Sequence, residues 1–221
     1  MIDLHMHTTW SDGALIPAET VQRARHKGVR GLALTDHVDS SNLSLVVPAL
    51  VRFCRDLEAF ADDVTVLPGL ELTHVPPESI AGLAREARRL GAQWIAVHGE
   101  TLVEPVPRGT NHAAIMAGVD LLAHPGLIEP DDVKLAAKNG VALEISARKG
   151  HSLTNGRVAA LGKEHGAVLL LNTDAHEPCD LIDAEFARQV ALGAGLSGSD
   201  FTKMQDDAEE LMRRASERRP E

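Results

Sequence analysis

A chain of 221 residues with 44% apolar composition is long enough to bury one sizeable core and too apolar to stay unfolded. Its formal charge of −10 argues against nonspecific capture of nucleic acid, and 3% aromatic residues with no tyrosine leave few platforms for stacked bases. The two cysteines, Cys54 and Cys179, exclude a disulfide framework or a zinc finger; with no apolar run of ~20 residues and no signal-like start, a reduced, cytoplasmic setting away from membranes is expected.

Along the chain one unit recurs: a short apolar run, a polar residue, a loop, a helical pattern, then glycine. The apolar runs begin near Ile2, Gly31, Val64, Gln93, Asp120, Val141 and Val168. Val64-Thr65-Val66-Leu67 and Val168-Leu169-Leu170-Leu171 lack alternation, as strands of a parallel sheet do when both faces are covered. Pro17, Pro77 and Pro130 mark helix starts, each followed by acidic residues. Gly28, Gly91, Gly140 and Gly166 mark helix ends. The stretch from Ser41 to Ala61 reads as a loop and then a helix, and a final amphipathic helix is expected at about 199–217, ending in a charged segment to Glu221. Strand and helix alternate seven times without a linker, which predicts one α/β domain over residues 1–221.

An open doubly wound sheet and a closed barrel share this pattern. The polar residues favour the barrel, in which functional groups sit at the carboxyl ends of many strands. Histidine is the outlier of the composition, with 11 residues. Most of them close strands. The first run gives His5-Met6-His7 and then Asp12; the second, Thr35-Asp36-His37; the third, Gly69-Leu70-Glu71 with His74 following. The fourth ends at His98, the fifth at His124, the sixth at Glu144, and the seventh leads into Thr173-Asp174-Ala175-His176. Residues two apart on a strand share a side, so His5 and His7 can grip one ion. Imidazole and carboxylate without sulfur suit zinc, manganese or iron.

These motifs, from residue 2 to about residue 176 and in order, resemble the polymerase-and-histidinol-phosphatase (PHP) family. The resemblance implies a distorted seven-stranded (β/α)7 barrel, about three divalent metal ions, and hydrolysis of phosphate esters. It implies that His5, His7, Glu71 and Asp174 hold the first ion, that Glu71 bridges to a second held by His98 and His124, and that Asp12, His37 and His176 hold a third. Some relatives carry histidine where this chain has Asp12. Glu71, Asp174 and His176 would stand at the reaction centre. Paired ions would make water a nucleophile near neutral pH, so that a bridging hydroxide attacks phosphorus and no protein nucleophile is required.

Arg148, after the sixth strand, and Arg108, before a helical stretch, are candidate phosphate clamps. His74 is a candidate substrate contact, second-layer residue or ordinary loop residue. Asp36 and Glu144 are expected to orient imidazole ligands. His26 and His165 read as helix-end residues, His112 and His151 as structural or substrate-contacting, and Met6 and Trp10 as packing. The substrate expected is a small phosphorylated metabolite, with histidinol phosphate or a nucleotide phosphate as candidates. A nuclease-like phosphodiesterase is the runner-up, against which the acidity and the lack of a fused polymerase count. An amidohydrolase would bring eight strands and often a lysine at the fourth, and a non-catalytic binding barrel would have lost ligands.

Overall fold

In a computed structural model, which describes residues 1–60 and 63–218, every strand named by an apolar run is present within one residue of its expected start. With one short strand that no run marked, β3 (His37–Val38), the strands are β1 (Ile2–Met6), β2 (Gly31–Leu34), β4 (Thr65–Leu72), β5 (Trp94–His98), β6 (Leu121–Ala123), β7 (Ala142–Ser146) and β8 (Leu169–Asn172). All ladders are parallel, in the order β1-β2-β4-β5-β6-β7-β8, with β3 beside β4. β3 continues β2 beyond a break at Thr35-Asp36. The register is unbroken across it: Leu34 pairs with Pro68 and His37 with Glu71. Seven strand positions therefore stand, one of them interrupted.

The helices are α1 (Pro17–His26), α2 (Leu43–Glu58), α3 (Ile80–Arg89), α4 (Thr110–Ala117), α5 (Pro130–Asn139), α6 (Asn155–His165), α7 (Ala184–Gly193) and α8 (Gly198–Ser216). The proline and glycine signals act as expected: Pro17 and Pro130 open α1 and α5, and Gly140 and Gly166, at φ 71° and 69°, end α5 and α6. α7 was not foreseen. α8 starts at a capping box in which Ser197 Oγ accepts from the Asp200 N–H while the Asp200 carboxylate accepts from the Ser197 N–H. Residues 219–221, where the charged end of the tail was expected, lie outside the described residues.

Alternation along the strands sorts the side chains. One row packs outward under the helices, with Leu32, Leu34, Leu70, Val97, Leu143 and Leu171 among it. The inward row starts apolar: Ile2, Leu4, Leu67, Trp94, Ala96, Leu121, Ala142 and Leu170 pack on Ala208, Met212 and Ala215 of α8, which lies across the amino ends of the strands. Burial of one large side chain there stabilises the fold by roughly 1.5–3 kcal/mol. Further along the same row the character changes to polar, two residues on at His98 on β5, Glu144 on β7 and Asn172 on β8, and four on, past Gly69, at Glu71 on β4.

The barrel is nearly closed, and its seam is irregular. β1 carries a bulge: Asp3 pairs with Leu32 and Met6 with Leu34, three steps against two. The extra residue lets adjacent Leu4 and His5 serve the apolar and polar layers in turn. Between β8 and β1 side chains replace part of the ladder. The Leu4 N–H donates to Asn172 Oδ1 (2.8 Å), and the Thr173 N–H donates to the Asp3 carboxylate (3.2 Å). Beyond them a single backbone bridge joins Met6 to Ala175, with the His7 N–H donating to the Ala175 carbonyl at 2.9 Å.

Candidate metal centre

The polar layer converges at the carboxyl ends. Met6 turns outward into the core, so His5 and His7 turn inward together. Glu71 stands among four rings: His5 Nε2 at 3.4 Å, His7 Nε2 at 3.8 Å, His37 Nδ1 at 2.8 Å and His124 Nε2 at 3.5 Å. Asp174 faces them from the segment after β8, 3.1 Å from His7 Nε2 and 3.6 Å from both His5 and His124. Asp12 reaches in from the loop after β1, 3.2 Å from His176 Nε2 and 3.5 Å from His37 Nε2. A Cβ on Gly13 would lie 2.6 Å from the His7 carbonyl, so glycine there lets this loop fold back onto the strand end. His124 and Asp174 adopt positive φ, 25° and 51°, a strained conformation for side-chain-bearing residues that aims them into the cluster.

Donor atoms and their lone pairs are left facing one another. His5 Nε2, both ring nitrogens of His7, Glu71 Oε1 and His124 Nδ1 are buried with no hydrogen-bond partner. Such atoms cost free energy when nothing binds them, and divalent cations satisfy this donor set. The residues therefore fit a metal cluster. Burial, reinforced by His37 and His176, holds the His7 ring well below the usual imidazole pKa and leaves it neutral, as a ligand must be. Burial also opposes charge on His5, His37 and His98, but Glu144 beside His5 and Glu71 beside the other two prevail and raise those pKa values. Burial resists ionisation of Glu71, and His5 and His98 overcome it and keep the carboxyl well below its ordinary range. The pocket thus draws positive charge.

A second set of bonds fixes the donors. Glu144 accepts from His5 Nδ1–H (2.8 Å), the His124 N–H (3.0 Å) and Asn172 Nδ2 (2.9 Å); burial would raise its carboxyl, but His5 brings it down to about 2. It orients imidazoles as expected. Asp36 does not. Its carboxylate accepts from the Thr8 N–H, Thr8 Oγ1 and Ser11 Oγ, bracing the loop that carries Asp12 rather than any histidine.

The candidate substrate residues divide. Arg148 Nη1 donates to the Asp174 carbonyl (3.0 Å) and to Asp180 Oδ2 (3.4 Å), and its Nε lies 3.7 Å from Asp174 Oδ2. It borders the cluster while leaning on the rim. Arg108 is exposed beside Gly109, which precedes α4. His74, at φ 55°, puts Nε2 3.1 Å from Glu104. Glu104 itself was missed by sequence reasoning. It reaches from the loop after β5 to within 3.1 Å of His98 Nε2. His151 is buried in the cluster, its ring stacked on His124 with centroids 4.0 Å apart. Burial, then His124, lowers its pKa to about 3. His26 and His165 end α1 and α6, and His112 pairs with Asp132 at the surface. Met6 packs as expected; Trp10 does not, being 42% exposed beside the site.

The PHP domain family model matches residues 3–140. An uncharacterized protein of Methanocaldococcus jannaschii is 48% identical over 200 residues, covering 90% of this chain and 92% of that protein. A probable phosphatase of Shewanella pealeana is 32% identical over 212 residues, covering 86% of this chain and 83% of its own. Among solved structures, a chain of an archaeal ribonuclease P bound to mature tRNA superposes with a TM-score of 0.72 at 16% identity, covering 96% of this chain and 91% of that one. Histidinol phosphate phosphatase of Lactococcus lactis, complexed with zinc, L-histidinol and phosphate, gives 0.60 at 16%, covering 89% and 94%. At such identities the likeness is one of fold.

Proposed function

The chain belongs to the PHP domain family, and from that premise we propose that it is a metal-dependent hydrolase removing the phosphoryl group from a small phosphomonoester, histidinol phosphate being one candidate. One observation carries the reading: nine imidazole and carboxylate side chains from six strand ends meet at one end of the barrel, several with buried donor atoms that no protein group satisfies. His5, His7, Glu71 and Asp174 would hold one ion, Glu71 with His98 and His124 a second, and Asp12, His37 and His176 a third, zinc, manganese or iron in each case. Ions so held supply positive charge for phosphoryl oxygens and make water a stronger acid. Glu144 keeps His5 in one tautomer with Nε2 directed inward. Asp36 holds the Asp12 loop against β1. Arg148, anchored on the Asp174 carbonyl, presents its guanidinium edge beside the cluster, where a phosphoryl oxygen can accept two N–H bonds. Glu71, Asp174 and His176 bound the space in which the ester sits. The formal charge of −10 favours a small substrate over a long polyanion.

A screen of phosphorylated metabolites with manganese, zinc or iron supplied tests the reading. Hydrolysis of at least one monoester, read as inorganic phosphate, should be faster than hydrolysis of a phosphodiester, read as the alcohol it releases. Protein of confirmed metal content that releases phosphate from none would overturn it.

A further inference from the structure

The family's ligand set ends at nine residues, yet two more donors point into the same space. His151 is buried in the turn after β7, and its Nδ1 is engaged at 2.7 Å by Thr101 Oγ1, which leaves Nε2 as the ring nitrogen facing the cluster. That Nε2 lies 3.5 Å from Glu104 Oε1 and 3.7 Å from Asp174 Oδ2. Both gaps are too long for good hydrogen bonds. They match the ~3 Å or slightly wider spacing of donors that share an ion at ~2.0–2.2 Å. Donor nitrogens of His98, His124 and His151 lie within 4.8 Å of one another. Glu104 covers them from outside, with Oε2 3.1 Å from His98 Nε2.

The loop that carries Glu104 and Thr101 is built rather than loose. Glu100 Oε1 accepts from the N–H groups of Gly109 (2.9 Å) and Asn111 (3.1 Å), tying the loop at its base. Val103 packs 3.3 Å from the position of a Cβ on Gly150, next to His151. One loop thus fixes the Nδ1 side of His151 and supplies the carboxylate opposite its Nε2.

We infer that His151 and Glu104 are additional ligands of the ion held by Glu71, His98 and His124, making that site a five-donor cage of three imidazoles and two carboxylates. The inference rests on the metal-dependent reading above. Thr101 is then a positioning residue, acting through His151.

Cobalt(II) is the probe. Chelated wild type, His151→Gln, Glu104→Gln, Thr101→Val and the surface control His112→Gln are loaded with Co²⁺, passed through gel filtration and read by elemental analysis and by the visible absorption of the bound ion. Wild type and the control should retain more than one equivalent with the same spectrum. His151→Gln and Glu104→Gln should each lose one class of site, or weaken it by roughly 10–100-fold or more, with far-UV circular dichroism and the remaining ions unchanged. Thr101→Val should weaken the same class less, and added imidazole should restore it in His151→Gly. If His151→Gln does not fold, Glu104→Gln, at an exposed loop residue, carries the test. Wild-type spectra and affinities in both glutamine variants would overturn the inference. Wild type that takes up no cobalt overturns it together with the metal-dependent reading; wild type that loads as expected but cleaves no ester removes only the activity.

Discussion

Asp3 offers the sharpest energetic test. It is fully buried at the seam between β1 and β8, and burial, only partly offset by hydrogen bonds from Thr173 and His5, lifts its pKa from 3.8 to about 7. In the unfolded chain the carboxyl ionises near 3.8. Between about pH 4 and pH 7 the folded state therefore keeps a proton that the unfolded state has released, so stability falls as pH rises through that window and the loss is complete above it. A shift of about three units at ~1.4 kcal/mol each sets the loss at up to about 4 kcal/mol. Asn in place of Asp3 keeps the shape and cannot ionise. Chelated Asp3→Asn should match chelated wild type near pH 4 and exceed it by up to about 4 kcal/mol near pH 8. Urea denaturation of both proteins across that range measures it. His5 and Asp174 titrate in both proteins, so the difference between the curves reports Asp3. A difference that does not change with pH, or a less stable variant near pH 8, would refute the reasoning.

Other outcomes follow from the same geometry. Glu71→Ala, which removes the group shared by four rings, should cut metal content and lower phosphatase turnover by more than about a hundredfold, whereas His26→Ala at the end of α1 should leave both unchanged; equal effects would displace the site from the barrel end. Chelation should lower the melting temperature by several degrees, since each ion at a hundred times its dissociation constant contributes about 2.7 kcal/mol; calorimetry with and without chelator, metal loss confirmed, checks it. Arg148→Ala should reduce kcat/KM for a phosphomonoester roughly 10–100-fold, from the ~1.5–3 kcal/mol of a charged hydrogen bond, with metal content unchanged. Arg148→Lys should recover part of that loss, and steady-state kinetics of the pair that showed none would move phosphate recognition to Arg108.

Strand positions were legible because each is a short, uninterrupted apolar run closed by a polar residue, and the helix stops because glycine is the residue that takes positive φ cheaply. Most candidate donors were legible for the same reason: His98, His124 and Glu144 sit where an apolar run ends. Glu104 gave no such signal. It lies in Val103-Glu104-Pro105-Val106-Pro107, a loop with no period, and its place is set by Glu100 and Val103 contacts that only the folded chain makes. Asp36 shows the opposite limit. Its neighbour His37 invited a role in orienting a ring, but the Thr8 and Ser11 groups of a loop 25 or more residues away claim its oxygens. The bulge in β1 has no marker either, since Asp3-Leu4-His5 alternates like any strand. α7 opens on Asp183, without the proline that starts α1 and α5.

The seam has a consequence for how the protein is made. The Leu4 N–H finds its acceptor on Asn172, 168 residues later, and the Ile2 N–H finds its own on Gln205 of α8, 203 residues later. At ~5–20 residues per second of synthesis, β1 leaves the ribosome and waits roughly 10–30 s before the strand that flanks it exists. Until then His5 and His7 have neither Asp174 nor His176 beside them. The ion proposed for His5, His7, Glu71 and Asp174 would therefore find its full donor set only in the last stage of folding, whereas the donors proposed for the second, Glu71, His98 and His124, are all made before β8. Metal at that first site would then favour finished barrels: chains that reach β8 would gain its binding energy, and chains arrested earlier would not.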